Sequence, residues 1–182
     1  GKYLKKVARV KEYLTLGHSY QVNFSQRFQM NYSGQAWNLF KKVSAINPSP
    51  FQAYIEAENF AVVSNSPERL VKVSEDQQKF IIESRPIKGT MPRSVDPLED
   101  ERNCEILLAS MKDNAELTMI VDLVRNDIGK ISKIGTVEVN EHRVLEKYSH
   151  VWHTVSNVRA ELDGGRDFRD VVKALFPGGS IT

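Results

Sequence analysis

Helical and strand-like patterns alternate along the first half of the chain. In residues 2–16 apolar side chains recur every three or four positions, which predicts an amphipathic helix that ends at Gly17. Residues 20–30 alternate apolar and polar side chains and predict a half-buried strand. A second amphipathic helix is predicted over residues 35–46, before the helix-breaking sequence NPSP. Four strand-like runs follow, at residues 51–57, 60–65, 69–74 and 79–84.

The pattern becomes helical in the middle of the chain. Asp96, Pro97 and Glu99 are typical of a helix start, with a capping carboxylate, a proline in the first turn and an acidic residue after it. The helical pattern continues to Gly129, and a single helix of roughly 30 residues would be unusually long, so a break is predicted at Asp113–Asn114. Four apolar residues are predicted to form one stripe: Leu108, Met111, Ala115 and Met119.

The last third of the chain returns to strand patterns. These lie at residues 135–148 and 150–162, and a final helix is predicted over residues 168–176. The sequence then ends in PGGSIT, a turn that normally leads into further structure, and it begins at Gly1 rather than at an initiator Met. We therefore expect this chain to be an internal part of a longer protein.

Composition narrows the function classes only slightly. Of the 182 residues 41% are hydrophobic and 26% are charged, and the formal net charge of +2 favours neither nucleic acid nor an anionic membrane as a partner. The single cysteine, Cys104, excludes an internal disulfide framework and suits a reducing cytoplasm. No apolar run approaches the roughly 18 residues of a membrane span.

The sequence RPIKGTMPRS, residues 85–94, places a lysine directly before a Gly-Thr pair. One interpretation is a turn in which Pro86 stiffens the backbone, Gly89 supplies a permissive φ, and Lys88 points into water. The other is a ligand site, because glycine lets a backbone approach a bound molecule closely. The residues alone leave both open.

Other candidate residues also have a structural and a functional interpretation. Glu68 is either a surface carboxylate paired with Arg69 or a buried acid. Asp113 and Glu116 are spaced i, i+3, so one helical face presents both carboxylates, either to a cation or simply to solvent. His153 shares a strand face with two valines, which is more often the environment of a core histidine than of a catalyst. His150 and Trp152 lie on the opposite face and are given no role.

Six motifs, in this order, resemble the chorismate-utilising enzymes, a family that includes anthranilate, aminodeoxychorismate, isochorismate and salicylate synthases. They are GHSYQVNFSQRF, NSPERL, RPIKGTMPR, NAELTMIVDLVRNDIGK, YSHVWHTVSNV and LFPGGSIT. The resemblance implies an α+β fold of two antiparallel sheets sandwiched together and flanked by helices. Residues 1–182 would form part of a single chorismate-binding catalytic domain, without its N-terminal region and C-terminal portion, and we expect this part alone to be inactive.

The resemblance also implies site residues. Lys88 matches the lysine typical of the para-aminobenzoate branch, where anthranilate synthases usually have alanine; as a neutral amine it would attack C2 of chorismate. Glu68 would protonate the departing hydroxyl, and His153 would lie near the substrate ring. Glu116 would bind magnesium, with Asp113 an outer ligand at best. The expected substrate-binding residues are Gly89, Thr90, Gly179 and Ser180, and a segment resembling a tryptophan pocket contains Pro50, Phe51 and Gln52.

Three functions remain open at this level. The first is amination of chorismate at C4 to 4-amino-4-deoxychorismate, with ammonia from a glutamine amidotransferase, in para-aminobenzoate and folate biosynthesis. The second is component I of anthranilate synthase, which also eliminates pyruvate. The third is a non-catalytic part that has kept the fold. In the DLVRND motif, Asp122, Arg125 and Asp127 are as well explained by a buried ion-pair network as by any site.

Overall fold

The computed structural model describes residues 1–180, in two compact units. The first unit, residues 1–34, contains helix α1, Lys2–Thr15, which ends as predicted: Gly17 has a φ of +74° directly after the cap. The strand predicted at residues 20–30 is wrong, since these residues have no regular secondary structure. A strand needs a neighbouring strand for its hydrogen bonds, and none within residues 1–180 pairs with this segment.

The second unit, residues 35–180, contains the remaining helices and strands. In chain order these are α2 (Ala36–Ile46), β1 (Phe51–Glu56), β2 (Ala61–Ser66), β3 (Arg69–Asp76), β4 (Lys79–Arg85), β5 (Ile87–Pro92), α3 (Pro97–Ala109), α4 (Met111–Gly129), β6 (Glu138–Lys147), β7 (Val151–Glu161) and α5 (Phe168–Leu175). No helix within residues 1–180 is both long and apolar enough to cross a membrane.

Every strand within residues 1–180 pairs in antiparallel fashion, and these strands form two sheets. Strands β1 and β2 form a two-stranded sheet. The other sheet has the order β3-β4-β7-β5, and β6 pairs with β7. Strand β7 is therefore central: its end pairs with β4, its beginning with β5, and most of its length with β6. The α+β class with antiparallel sheets and helices is as predicted.

Strand β5 replaces the turn that RPIKGTMPRS suggested. Its pairing with β7 shifts register between Ile87 and Thr90, and Gly89 within the shift has a φ of +87°. Such a bulge interrupts the alternation of side chains between the two faces, which is why the sequence shows no clear strand pattern here. Lys88 is half-buried in this strand, so its interpretation as a residue of an exposed turn is wrong.

The central helical region breaks at Ser110, three residues before the predicted position. Asp96 caps α3 as expected, accepting a hydrogen bond from the Leu98 amide. Ser110 ends α3 and also caps α4, because its Oγ accepts a hydrogen bond from the Asp113 amide at 3.2 Å. Serine is a preferred N-cap, so the break lies at Ser110 and not at the Asp113–Asn114 pair.

The predicted apolar stripe on this region is wrong as a result. Leu108 and Met111 are 41% and 86% exposed, because the break at Ser110 changes the angular phase of the helix. The buried face of α4 instead consists of Leu117, Ile120, Val121, Val124 and Ile128. These residues form the main core together with β4, β7 and α5. Each fully buried Leu or Ile stabilises the fold by about 1.5–3 kcal/mol.

Candidate active site

Three side chains from distant parts of the chain meet at the start of β5. Lys88 Nζ donates a hydrogen bond to Ser180 Oγ at 2.5 Å. Ser180 Oγ lies 2.9 Å from both carboxylate oxygens of Glu68. Glu68 Oε1 also accepts a hydrogen bond from the Ile87 amide at 2.8 Å. The Ser180 hydroxyl therefore bridges the Lys88 amine and the Glu68 carboxylate, two candidate residues identified from the sequence motifs. The three residues are far apart in the chain.

The turn between β2 and β3 positions Glu68. Ser66 Oγ accepts a hydrogen bond from the Glu68 amide and donates one to the Glu68 carbonyl, which closes the turn. The alternative pairing of Glu68 with Arg69 is not formed. The Arg69 guanidinium instead lies over the Phe51 ring, 5.8 Å from its centroid.

The second part of the site is a contact between β5 and β7. Thr90 Oγ1 lies 2.9 Å from His153 Nδ1, and the Gly89 carbonyl oxygen lies 3.4 Å from the same nitrogen. The next residue on β7, Thr154, donates its hydroxyl hydrogen to the Lys88 carbonyl. His153 is only 9% exposed, as expected for a histidine in the core. Its Nδ1 nevertheless contacts the Gly-Thr pair, as expected for a residue of the candidate site.

Gly89 lies where no side chain fits. A Cβ built on it would be 2.9 Å from Leu107 Cδ1, 3.0 Å from Thr154 Oγ1 and 3.1 Å from Asp113 Cβ. The backbone of β5 therefore packs directly against α3 and the start of α4. This close approach brings Asp113 beside Gly89.

The carboxylates proposed for a cation lie on α4. Glu116 forms an i, i+4 ion pair with Lys112 at 3.7 Å, and its side chain is 43% exposed. Within residues 1–180 no group of three or more His, Cys, Asp or Glu side chains is placed to hold a metal. Magnesium is often bound by one or two carboxylates together with water and substrate oxygens, so the donor chemistry of Glu116 fits a partial ligand set.

The Gly179-Ser180 turn, the remaining substrate-binding prediction, packs against α4. A Cβ on Gly179 would collide with the Leu123 side chain and approach Ile120, so any side chain here would have to displace Leu123. The turn brings the Ser180 hydroxyl to Lys88 and Glu68. The last two residues of the LFPGGSIT motif, Ile181 and Thr182, lie outside the described residues.

Two further predicted groups lie elsewhere. Pro50, Phe51 and Gln52 lie at the start of β1, where Gln52 Nε2 donates to the Asn47 carbonyl at 3.3 Å. Of the two explanations for DLVRND, the buried ion-pair network is wrong. Arg125 pairs with Asp122 at 3.4 Å and Lys130 with Asp127 at 2.7 Å, and three of these four side chains are at least half exposed.

Sequence reasoning missed Tyr148, which contacts His153. The two rings are 5.2 Å apart and nearly perpendicular, at 69°. The Tyr148 hydroxyl donates to Glu146 Oε2 at 2.7 Å, and Glu146 Oε1 lies 2.6 Å from Arg85 Nη2. Burial, together with the hydrogen bond to Glu146, raises the pKa of Tyr148 to about 12. The contact depends on the turn between β6 and β7, which no sequence pattern specified.

Sequence reasoning also missed a polar cluster around Asp100. This carboxylate accepts hydrogen bonds from Arg93 Nε at 2.8 Å, the Ser94 amide at 3.0 Å and Trp152 Nε1 at 2.9 Å. The Arg93 guanidinium holds the pKa of Asp100 well below its usual range, and it stacks 4.8 Å above the Trp152 ring. Trp152, to which the strand pattern gave no role, thus connects α3 to β7.

Comparison with known proteins decides the family. The family model described as chorismate binding enzyme matches residues 1–182. The chain belongs to the chorismate binding enzyme family. The resemblance found in the six motifs is thereby confirmed.

Curated relatives from two reaction classes match this chain. The chain is 44% identical over 180 residues to aminodeoxychorismate synthase component 1 of Escherichia coli, and 42% identical over 180 residues to that of Bacillus subtilis. It is 43% identical over 176 residues to anthranilate synthase component 1 of Aquifex aeolicus. These matches cover 97–99% of the chain but only 35–39% of the relatives, so the chain spans little more than a third of their length.

A solved structure supports the fold. Anthranilate synthase component I from Streptococcus pneumoniae superposes with a TM-score of 0.65 at 29% sequence identity. The superposition covers 79% of this chain and 30% of the other. The arrangement of antiparallel sheets and helices is therefore that of a chorismate binding enzyme.

Proposed function

We propose that the protein containing this chain aminates chorismate at C4 to give 4-amino-4-deoxychorismate. The observation that carries the proposal is the hydrogen-bonded connection from Lys88 through Ser180 to Glu68. It supports the proposal because one hydroxyl group bridges the Lys88 amine, the candidate nucleophile, and the Glu68 carboxylate, the candidate general acid. Lys88 directly precedes the Gly-Thr pair on β5.

The proposed reaction has two substitutions. In the first, the neutral Lys88 amine forms a bond to C2, both ring double bonds shift, and the C4–O bond breaks so that the hydroxyl leaves as water with a proton from Glu68. In the second, ammonia forms a bond to C4, both ring double bonds shift back, and the C2–N bond breaks so that the Lys88 amine leaves. The Ser180 hydroxyl accepts from Lys88 and contacts Glu68, so it supports transfer of a proton from the ammonium to the carboxylate before the first step.

The remaining site residues bind and orient the substrate in this proposal. The Gly89 amide and the Thr90 hydroxyl would contact chorismate, and the buried His153 would face its ring. Glu116 and, as an outer ligand, Asp113 would hold a magnesium ion beside a chorismate carboxylate. When bound, such an ion neutralises charge and acts as a Lewis acid.

The relatives do not discriminate between amination and anthranilate formation, since their identities to this chain are 42–44% in both classes. Lys88 favours amination, because the covalent route requires a nucleophile at this position. The ammonia would come from a glutamine amidotransferase, in keeping with the relatives' names as component 1 of an aminodeoxychorismate synthase.

A lysine-to-alanine substitution tests the covalent route. In the full-length protein, Lys88→Ala removes the nucleophile, and we expect it to abolish formation of 4-amino-4-deoxychorismate from chorismate and ammonium, measured by mass spectrometry. The matched control is Lys72→Ala on β3, whose ion pair with Glu83 spans 3.7 Å and is half-exposed. The control should keep wild-type product formation, and both variants should keep the wild-type unfolding temperature. Undiminished product from Lys88→Ala would contradict the route.

A further inference from the structure

One nitrogen of the His153 ring contacts two oxygen atoms, the Thr90 hydroxyl at 2.9 Å and the Gly89 carbonyl at 3.4 Å. The hydroxyl can donate or accept, but a carbonyl oxygen can only accept. The Gly89 contact is therefore attractive only when Nδ1 carries the proton. In the neutral ring this tautomer leaves Nε2 with a lone pair, and it leaves the Thr90 hydroxyl hydrogen for another acceptor.

The ring of Tyr148 limits how the imidazole can rotate. Its centroid lies 5.2 Å from that of His153 at an interplanar angle of 69°, an edge-to-face contact. Aromatic pairs of this kind are worth about 0.5–1.5 kcal/mol beyond their buried area. Rotation of His153 about its χ2 angle would exchange the positions of the ring atoms and break the contacts of Nδ1 with Gly89 and Thr90.

Tyr148 is itself held by a charged pair. Its hydroxyl donates to Glu146 Oε2, while the other carboxylate oxygen of Glu146 lies 2.6 Å from Arg85. Arg85 also contacts Glu141 at 2.7 Å. The Arg85 and Glu146 side chains are 33% and 27% exposed, so water screens this pair less than a pair on the open surface. We call the hydrogen bond from Tyr148 to Glu146, together with the ion pair of Glu146 with Arg85, the anchor. It connects β4 and β6 to the Tyr148 ring, which packs on β7.

We propose that Tyr148 is a positioning residue, which keeps the His153 imidazole in the orientation whose Nδ1 donates to Gly89 and whose Nε2 remains a proton acceptor. The use of Nε2 in catalysis depends on the proposed function, whereas the orientation and the tautomer do not. Tyr148 acts through His153 and is not assigned a contact with the substrate.

Three variants of the full-length protein separate positioning from general stability. Tyr148→Phe keeps the ring and loses the anchor, and Tyr148→Leu loses both. The control is Tyr54→Phe on β1, because the Tyr54 hydroxyl also bonds a carboxylate two residues away, Glu56. Since a misplacement of about 1 Å costs up to roughly 100-fold in rate, we expect Tyr148→Leu to lower kcat by about 10–100-fold with KM nearly unchanged. Tyr148→Phe should lie between this variant and wild type, and Tyr54→Phe should equal wild type.

The deciding measurement is the ¹⁵N NMR spectrum of labelled histidine, with the His153 signals identified by their loss in His153→Gln. Wild type and Tyr54→Phe should show a pyrrole-type Nδ1 and a pyridine-type Nε2. Both Tyr148 variants should show His153 signals averaged between the two tautomers. If Tyr148→Leu does not fold, the spectrum of Tyr148→Phe alone decides the test. His153 signals unchanged in a folded Tyr148 variant would overturn the inference, whatever its kcat. A wild-type protein that does not convert chorismate would contradict the proposed function, and the spectra would still test Tyr148.

Discussion

At the scale of single residues, Gly89 combines a left-handed backbone conformation with close neighbours on the side where a Cβ would lie. Gly89 and Gly135 have nearly the same φ, +87° and +81°, but of these two only Gly89 has neighbours within 4 Å of the place that a Cβ would occupy. Gly135→Ala should therefore lower the unfolding free energy by about 1–2 kcal/mol, because alanine is strained in the left-handed conformation. Gly89→Ala should cost roughly 1–3 kcal/mol more through overpacking.

Chemical denaturation of the two alanine variants measures this difference. Equal losses of unfolding free energy would mean that β5 is not packed against Leu107, Thr154 and Asp113 as described. Because the same close packing places Lys88 beside Glu68 and Ser180, that result would also weaken the geometry of the candidate site.

Glu68 carries the general-acid role in the proposed reaction. Glu68→Gln keeps the shape of the side chain and its acceptor for the Ile87 amide, but it cannot supply the proton. We expect kcat to fall by about 10²–10⁴, with KM largely kept. Glu161→Gln is the control, since Glu161 forms ion pairs with Lys79 and Lys133 at the other end of the sheet and should leave kcat unchanged. An unchanged turnover number in Glu68→Gln would rule out the acid role.

At the scale of elements, the Asp100 cluster fastens the start of α3 to β7. Arg93 lowers the pKa of Asp100, so the charged carboxylate stabilises the fold. This stabilisation is complete above the unfolded-state pKa of about 3.9 and is lost as pH falls through the lower folded-state pKa. Asp100→Asn should therefore unfold at a lower temperature than wild type at pH 7, and the gap should narrow below about pH 4.

Thermal unfolding across this pH range checks the linkage, and Asp163→Asn is the control. The Asp163 carboxylate is half exposed and lies 3.7 Å from Arg166, and surface pairs of this kind are worth about 0–1 kcal/mol. A gap between Asp100→Asn and wild type that stays constant down to pH 3 would show that the charge of Asp100 does not carry the effect.

Elements with a local signal were predictable, and elements that depend on distant partners were not. The start of α3 follows from its Asp-Pro cap, and β1 to β4 follow from short apolar runs with turn residues between them. Strand β5 was missed because a bulge at Gly89 disrupts its alternation. Residues 20–30 have the alternation of a strand, but alternation cannot supply the neighbouring strand that a ladder requires.

At the scale of the whole molecule, the motifs located the family and most candidate site residues, but they did not give the contacts. Lys88 and Glu68 could be selected from RPIKGT and SPERL, whereas their connection through Ser180 spans 112 residues and depends on the tertiary fold. Tyr148 lies in a quoted motif, but its contact with His153 depends on a turn that no periodicity encodes.

Replacement of the C4 hydroxyl of chorismate by an amino group is the reaction we propose. Its most direct test is mass spectrometry of the products that the wild-type, full-length protein forms from chorismate and ammonium in the presence of magnesium. We expect 4-amino-4-deoxychorismate as the product, with the pyruvyl group retained. Anthranilate with release of pyruvate, or isochorismate, would contradict the claim.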